Sequence, residues 1–169
     1  MGISGSGKSH IGNLISHELD APFIEGDDIH PPSNVQKMSS GIPLNDQDRE
    51  IWLDAIKTEI INIFNSSSSK PYFFITCSSL KFQYREFLRK VNNDDLKIWF
   101  IYLKASNEVL KQRMLNRQNH FMKENMLESQ FETLEEPKDS EEKIIIIDAN
   151  REDNEIKEEI LKKIKVLDL

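Results

Sequence analysis

The chain has 169 residues and a formal net charge of −7, with 30% charged and 38% hydrophobic residues. That length reads as a single domain, residues 1–169, with enough chain to bury a core. The acidic balance and the lack of a basic block speak against a nucleic-acid partner, and no apolar run approaches the roughly 18 residues of a membrane span. The lone cysteine, Cys77, excludes an internal disulfide and fits the cytoplasm.

The chain opens on Gly2-Ile3-Ser4-Gly5-Ser6-Gly7-Lys8-Ser9, which fits the phosphate-loop pattern at every fixed position. Its glycines let several backbone N–H groups converge on one phosphate, and the helix that follows adds its positive end. In this pattern Gly2, Ser4, Gly5, Ser6 and Gly7 cradle the phosphates of ATP. Lys8 places its charge between the β- and γ-phosphates, and the Ser9 hydroxyl is a ligand for Mg2+. Such a loop normally follows a buried strand. Only Met1 precedes it here, so the first strand is missing from the chain as it stands, and a strand of about five or six residues is expected ahead of it.

Ile11 to Leu19 has helical spacing and ends at Ala21-Pro22. Phe23-Ile24 is a short strand running into the acidic turn Glu25-Gly26-Asp27-Asp28. A carboxylate of this turn, at the carboxyl end of a strand, is well placed to take a hydroxyl proton or to orient magnesium-bound water. His30 to Asn34, with Gly41 and Pro43 beyond, reads as a loop. Neither His30 nor His120 has metal-ligand spacing. A helix is predicted from about Asp46 to Phe64, with Arg49 near its start as a fork for a substrate carboxylate. Tyr72 to Cys77 and Ile98 to Leu103 are apolar enough for buried parallel strands. Between them lies a helix from about Leu80 to Val91.

Ser106 or Asn107 caps the next helix, which leads to Arg113 and Arg117, four residues apart on one face. Those arginines and the polar stretch to Asn125 suggest a lid, about 117–125, closing over ATP, with Arg117 stabilising the transferred group. Met126 to Leu134 is a short helix, Ile144 to Ile147 the last strand, and Glu155 to Val166 the closing helix. Strands alternating with helices predict an α/β fold with a parallel sheet covered on both faces.

A phosphate loop with an acceptor-side carboxylate and arginine indicates a kinase for a small anionic acceptor. A shikimate-like or nucleoside-monophosphate kinase, and a nucleotide-binding module without turnover, share these features. With Gly26-Asp27-Asp28-Ile29-His30-Pro31, Gly41-Ile42-Pro43-Leu44-Asn45-Asp46-Gln47-Asp48-Arg49 and Ser129-Gln130-Phe131-Glu132-Thr133-Leu134-Glu135-Glu136-Pro137, the chain resembles the gluconokinase family over nearly its whole length. The resemblance implies a shikimate-kinase-like three-layer P-loop fold and transfer of the ATP γ-phosphate to the 6-hydroxyl of D-gluconate. It implies that Asp27 is the acceptor-side carboxylate, catalytic and at the magnesium, and substrate-binding roles for Asp27, Arg49, Arg85 and Gln130. Nucleotide contacts extend from the loop to His10 and Arg113, and the assembly expected by analogy is a homodimer.

Overall fold

The computed structural model describes residues 1–66, 71–115, 124–138, 141 and 143–167, with side chains omitted at 124–126. The element order is α1 (Lys8–Glu18), β1 (Phe23–Ile24), a 3-10 turn (Gly26–Ile29), α2 (Pro32–Ser39), α3 (Asp46–Ser66) and β2 (Phe74–Ile75). Then follow α4 (Phe82–Arg89), β3 (Phe100–Lys104), α5 (Asn107–Leu115), α6 (Glu124–Thr133), β4 (Ile144–Asp148) and α7 (Asp153–Val166). Strands pair in parallel, β1 with β2 and β3 with β4.

The apolar runs sort by parity, because side chains alternate across a strand. Trp99, Ile101 and Leu103 face the core that α1 and α7 complete, with Ile11, Ile15, Ile156 and Ile160. Ile98 and Phe100 face the other core, which α3 and α4 supply through Trp52, Leu53, Ile56, Tyr84 and Leu88. Tyr72 and Phe74 join the first core, and Phe73, Ile75 and Cys77 the second. The three-layer α/β arrangement expected from the alternation is thus present.

The two strand pairs do not join into one sheet; Met1 sits between them. Its ammonium donates to the Ile101 carbonyl, and the Leu103 N–H donates to the Met1 carbonyl at 3.0 Å. The Gly2 N–H donates to the Ser78 carbonyl beyond β2 at 3.1 Å. These are the bonds of a central parallel strand, made at one position. Alongside lies a cavity of about 890 Å3, lined by Phe73, Ile75, Ile98, Phe100 and Ile145 among others.

Two local expectations change. The segment read as a loop from His30 contains α2, which starts on Pro32; proline suits the first helical turn because its missing N–H would be unpaired there. Its inward side chains are Asn34 and Met38, too short a pattern to stand out among turn-forming residues. The helix expected from Leu80 begins at Phe82, since Lys81 is extended, with φ −96° and ψ 149°. Residues 117–123 of the expected lid, including Arg117, lie outside the described residues.

Candidate active site

The phosphate loop turns on glycines in the left-handed region, with φ +84° at Gly5 and +94° at Gly7. Gly7 stands at the cap position just before α1, so no side chain caps the helix's first N–H groups. Unpaired N–H groups at a helix start attract an anion. Lys8 curls back over the loop, its Nζ donating to the Ile3 carbonyl at 3.1 Å. α6 holds the loop from the far side. The Ser4 N–H donates to Gln130 Oε1 at 2.8 Å, and Gln130 Nε2 donates to Ser4 Oγ at 3.1 Å.

The acceptor side begins at the end of β1. Gly26 is pressed against β2: a Cβ there would lie 1.9 Å from the Thr76 carbonyl oxygen. Its N–H donates to Thr76 Oγ1 at 2.8 Å, and its carbonyl accepts from Trp52 Nε1 at 2.8 Å. This clamp turns the chain into the 3-10 turn and leaves Asp27 exposed at the cleft. Glu25 is engaged elsewhere, accepting from Thr76 Oγ1.

Arg49 is buried on the first turns of α3, its guanidinium carbon 5.9 Å from the centre of the Tyr84 ring. The acidic residues before it fix that helix start on both sides. Asp46 accepts from Lys81 Nζ at 2.7 Å and from the Tyr84 hydroxyl, which ties α3 to α4. Asp48 accepts from Lys37 Nζ at 2.7 Å, which ties it to α2. Hydrogen bonds from these partners hold both carboxyls below the usual carboxylate range. The acids of the Asn-Asp-Gln-Asp-Arg stretch thus position Arg49.

Ser4, Lys8, Asp27, Arg49 and Gln130 line one cleft, together with His30, Trp52 and Ser78. Other predicted residues lie elsewhere. Arg85 is enclosed. Its Nε and Nη2 donate to the two oxygens of Glu141 at 2.7 and 2.9 Å, and its Nη1 to the carbonyls of Ser79, Leu80 and Glu135. Arg85 is absent from the cleft lining, and these partners hold its guanidinium. His10 is exposed and pairs with Asp153 of α7 at 3.0 Å, so it turns from the loop to the surface. Arg113 is half-buried in the last turn of α5 and outside the cleft lining. Burial raises the Cys77 thiol, which agrees with a packing residue.

His30 and Trp52 were the site residues that sequence reasoning passed over. Their rings stack with centroids 4.1 Å apart and planes 14° apart. The available signal was the three-residue spacing of Arg49 and Trp52, which puts both on one helix face.

Residues 4–165 match the model of the family described as shikimate kinase. The thermoresistant gluconokinase of Escherichia coli (strain K12) is 42% identical over 151 residues, covering 89% of this chain and 83% of that protein. Among solved structures, a gluconokinase from Sinorhizobium meliloti 1021 superposes with a TM-score of 0.83 at 39% identity, covering 99% of this chain and 90% of that one. The APS kinase of Mycobacterium tuberculosis, at 15% identity and TM-score 0.64, shares the fold. No described helix is long and apolar enough to cross a membrane.

Proposed function

This chain belongs to the gluconokinase family of shikimate-kinase-like P-loop kinases, and we propose that it transfers the γ-phosphoryl group of ATP to the 6-hydroxyl of D-gluconate. The observation that carries the proposal is the convergence of Lys8, Asp27, Arg49 and Gln130 on one cleft. The uncapped start of α1 and the glycine turns before it fit a nucleotide triphosphate. Magnesium bound with ATP would supply positive charge between the β- and γ-phosphates, and Ser9 and Asp27 are the residues to hold it.

The chain's own residues account for the rest. Lys8 moves its ammonium from the Ile3 carbonyl to the phosphate oxygens, where negative charge grows during transfer. Asp27, which lines the same cleft as Lys8, accepts the proton of the attacking hydroxyl. Arg49, its helix fixed through Asp46 and Asp48, takes the gluconate carboxylate with its planar fork. Gln130 holds Ser4 and so fixes the loop at its acceptor side. Arg117, outside the described residues, is the sequence's candidate to stabilise the transferred group. The proposed setting is the cytoplasm, with a homodimer as the assembly by analogy.

The test is a coupled ADP-release assay with D-gluconate, shikimate and nucleoside monophosphates. Turnover with gluconate alone is expected, and Asp27→Asn should lower kcat by about 10²–10⁴-fold with ATP affinity retained. Preference for another acceptor would remove gluconate. ATP affinity that collapses while turnover persists would make Asp27 a nucleotide-side residue.

A further inference from the structure

His30 lies in the cleft with Asp27 and Arg49, and two contacts fix its ring. One face stacks on Trp52, which is itself held by its hydrogen bond to the Gly26 carbonyl. The Nδ1 edge faces the Asn34 amide nitrogen at 3.5 Å. Asn34 is fully buried, and the same nitrogen donates to the Asp48 carbonyl at 2.9 Å. An amide NH2 has two protons, so Asn34 can offer its second only to an unprotonated Nδ1. The ring proton then sits on Nε2. With one face and the Nδ1 edge occupied, the Nε2 edge is the polar part of the ring left to the cleft.

We infer that His30 is a specificity-determining residue of the acceptor subsite, its Nε2–H donating a hydrogen bond to a hydroxyl of the polyol acid. The inference rests on the gluconate reading above and deepens it. Burial, with Arg49 adding to it against the opposing pull of Asp27, lowers the His30 pKa to about 4. The ring is therefore neutral at physiological pH and donates without competing with Arg49 for the carboxylate. A built site that hydrogen-bonds a substrate hydroxyl rejects analogues lacking it, because the buried donor is then left unpaired.

The test compares wild type, His30→Ala and His30→Gln with D-gluconate and with a panel of its monodeoxy analogues. His30→Ala should raise KM for gluconate about tenfold, the scale of one lost hydrogen bond, with a smaller change in kcat and no change in KM for ATP. His30→Gln, which keeps an N–H donor, should recover part of the loss. Wild type should lose the same factor on one deoxy analogue, and His30→Ala should no longer discriminate against that analogue. An unchanged gluconate KM in His30→Ala, retained discrimination, or a loss confined to kcat would overturn the inference, the last by making His30 the proton acceptor. If wild type ignores gluconate and turns over another polyol acid, the family reading of the substrate fails, and the same comparison on that acceptor still decides His30.

Discussion

Arg49 and Arg85 carry the same guanidinium and serve different ends. Arg49 is fixed through its helix, with Asp46 and Asp48 tied to α4 and α2, and faces the cleft. Arg85 is only 1% exposed and holds Glu141, which also accepts from Arg89 at 3.2 Å. Burial pushes the Glu141 carboxyl up, but the two arginines outweigh it and hold it below its ordinary value. Its contribution to stability is therefore present above the unfolded carboxylate range and is lost as pH falls below it. Removing Arg85 leaves buried Glu141 to Arg89 alone and takes the donor from the Ser79, Leu80 and Glu135 carbonyls, so Arg85→Ala should cost about 3–5 kcal/mol in urea unfolding. Adding Glu141→Ala should return part of that loss, and the folded fraction of Arg85→Ala should keep the wild-type KM for gluconate. A stable Arg85→Ala with a raised gluconate KM would restore Arg85 to substrate binding. The place of Lys8 and Arg49 in the cleft was legible because their neighbours in sequence announce it. The enclosure of Arg85 was not, because the residue that pairs with it, Glu141, lies 56 positions away.

The element that sets the acceptor geometry is the turn between β1 and α2. β1 is two residues long, and its register with β2 pairs Phe23 with Phe74 and Ile24 with Ile75. What lets it end so close to β2 is Gly26, whose missing side chain admits the Thr76 carbonyl. Gly26→Ala must push one backbone apart from the other, since the obstructing atom is not the flexible end of a side chain. Overpacking of this kind costs about 1–3 kcal/mol. The shift should carry Asp27 and the Trp52 hydrogen bond with it, so kcat should fall while ATP affinity, set by the phosphate loop, holds. Full activity in a stable Gly26→Ala would show that the turn relaxes without moving Asp27. The glycine was visible in sequence only as part of an acidic turn. That it abuts Thr76 follows from strand pairing, which apolar runs announce but do not register. The long strands and helices were legible for the opposite reason: Ile98 to Leu103 and Ile144 to Ile147 are apolar on both faces because both faces are covered. α2, with two inward residues in eight, carried no such signal.

At the scale of the molecule, the phosphate loop hangs on a junction between two half-sheets. Met1 makes bonds toward β3, and Gly2 makes one toward the end of β2, each with the spacing of a parallel ladder. Continued backward, that ladder runs between Phe73–Ile75 and Ile98–Phe100, through the cavity of about 890 Å3. Its walls are mainly apolar and come from both cores, so an extended apolar segment placed there would join β2 to β3 and close the sheet. Fully burying a valine or isoleucine side chain is worth about 1.5–3 kcal/mol, so two or three of them placed against these walls are worth about 5 kcal/mol. For a domain of this length that is on the order of 10 °C in Tm. A five-residue stretch rich in valine and isoleucine, joined directly ahead of Met1, should therefore raise Tm by about that amount. It should also tighten ATP binding, because Gly2 would then leave a strand paired on both edges. A stretch of the same length with aspartate at alternate positions should do neither, since either face of the strand meets an apolar core. The measurement is thermal unfolding with and without ATP for the three proteins. Equal Tm values for all of them would show that the half-sheets draw together over the gap, and that the loop owes its shape to Gln130 and α1 alone.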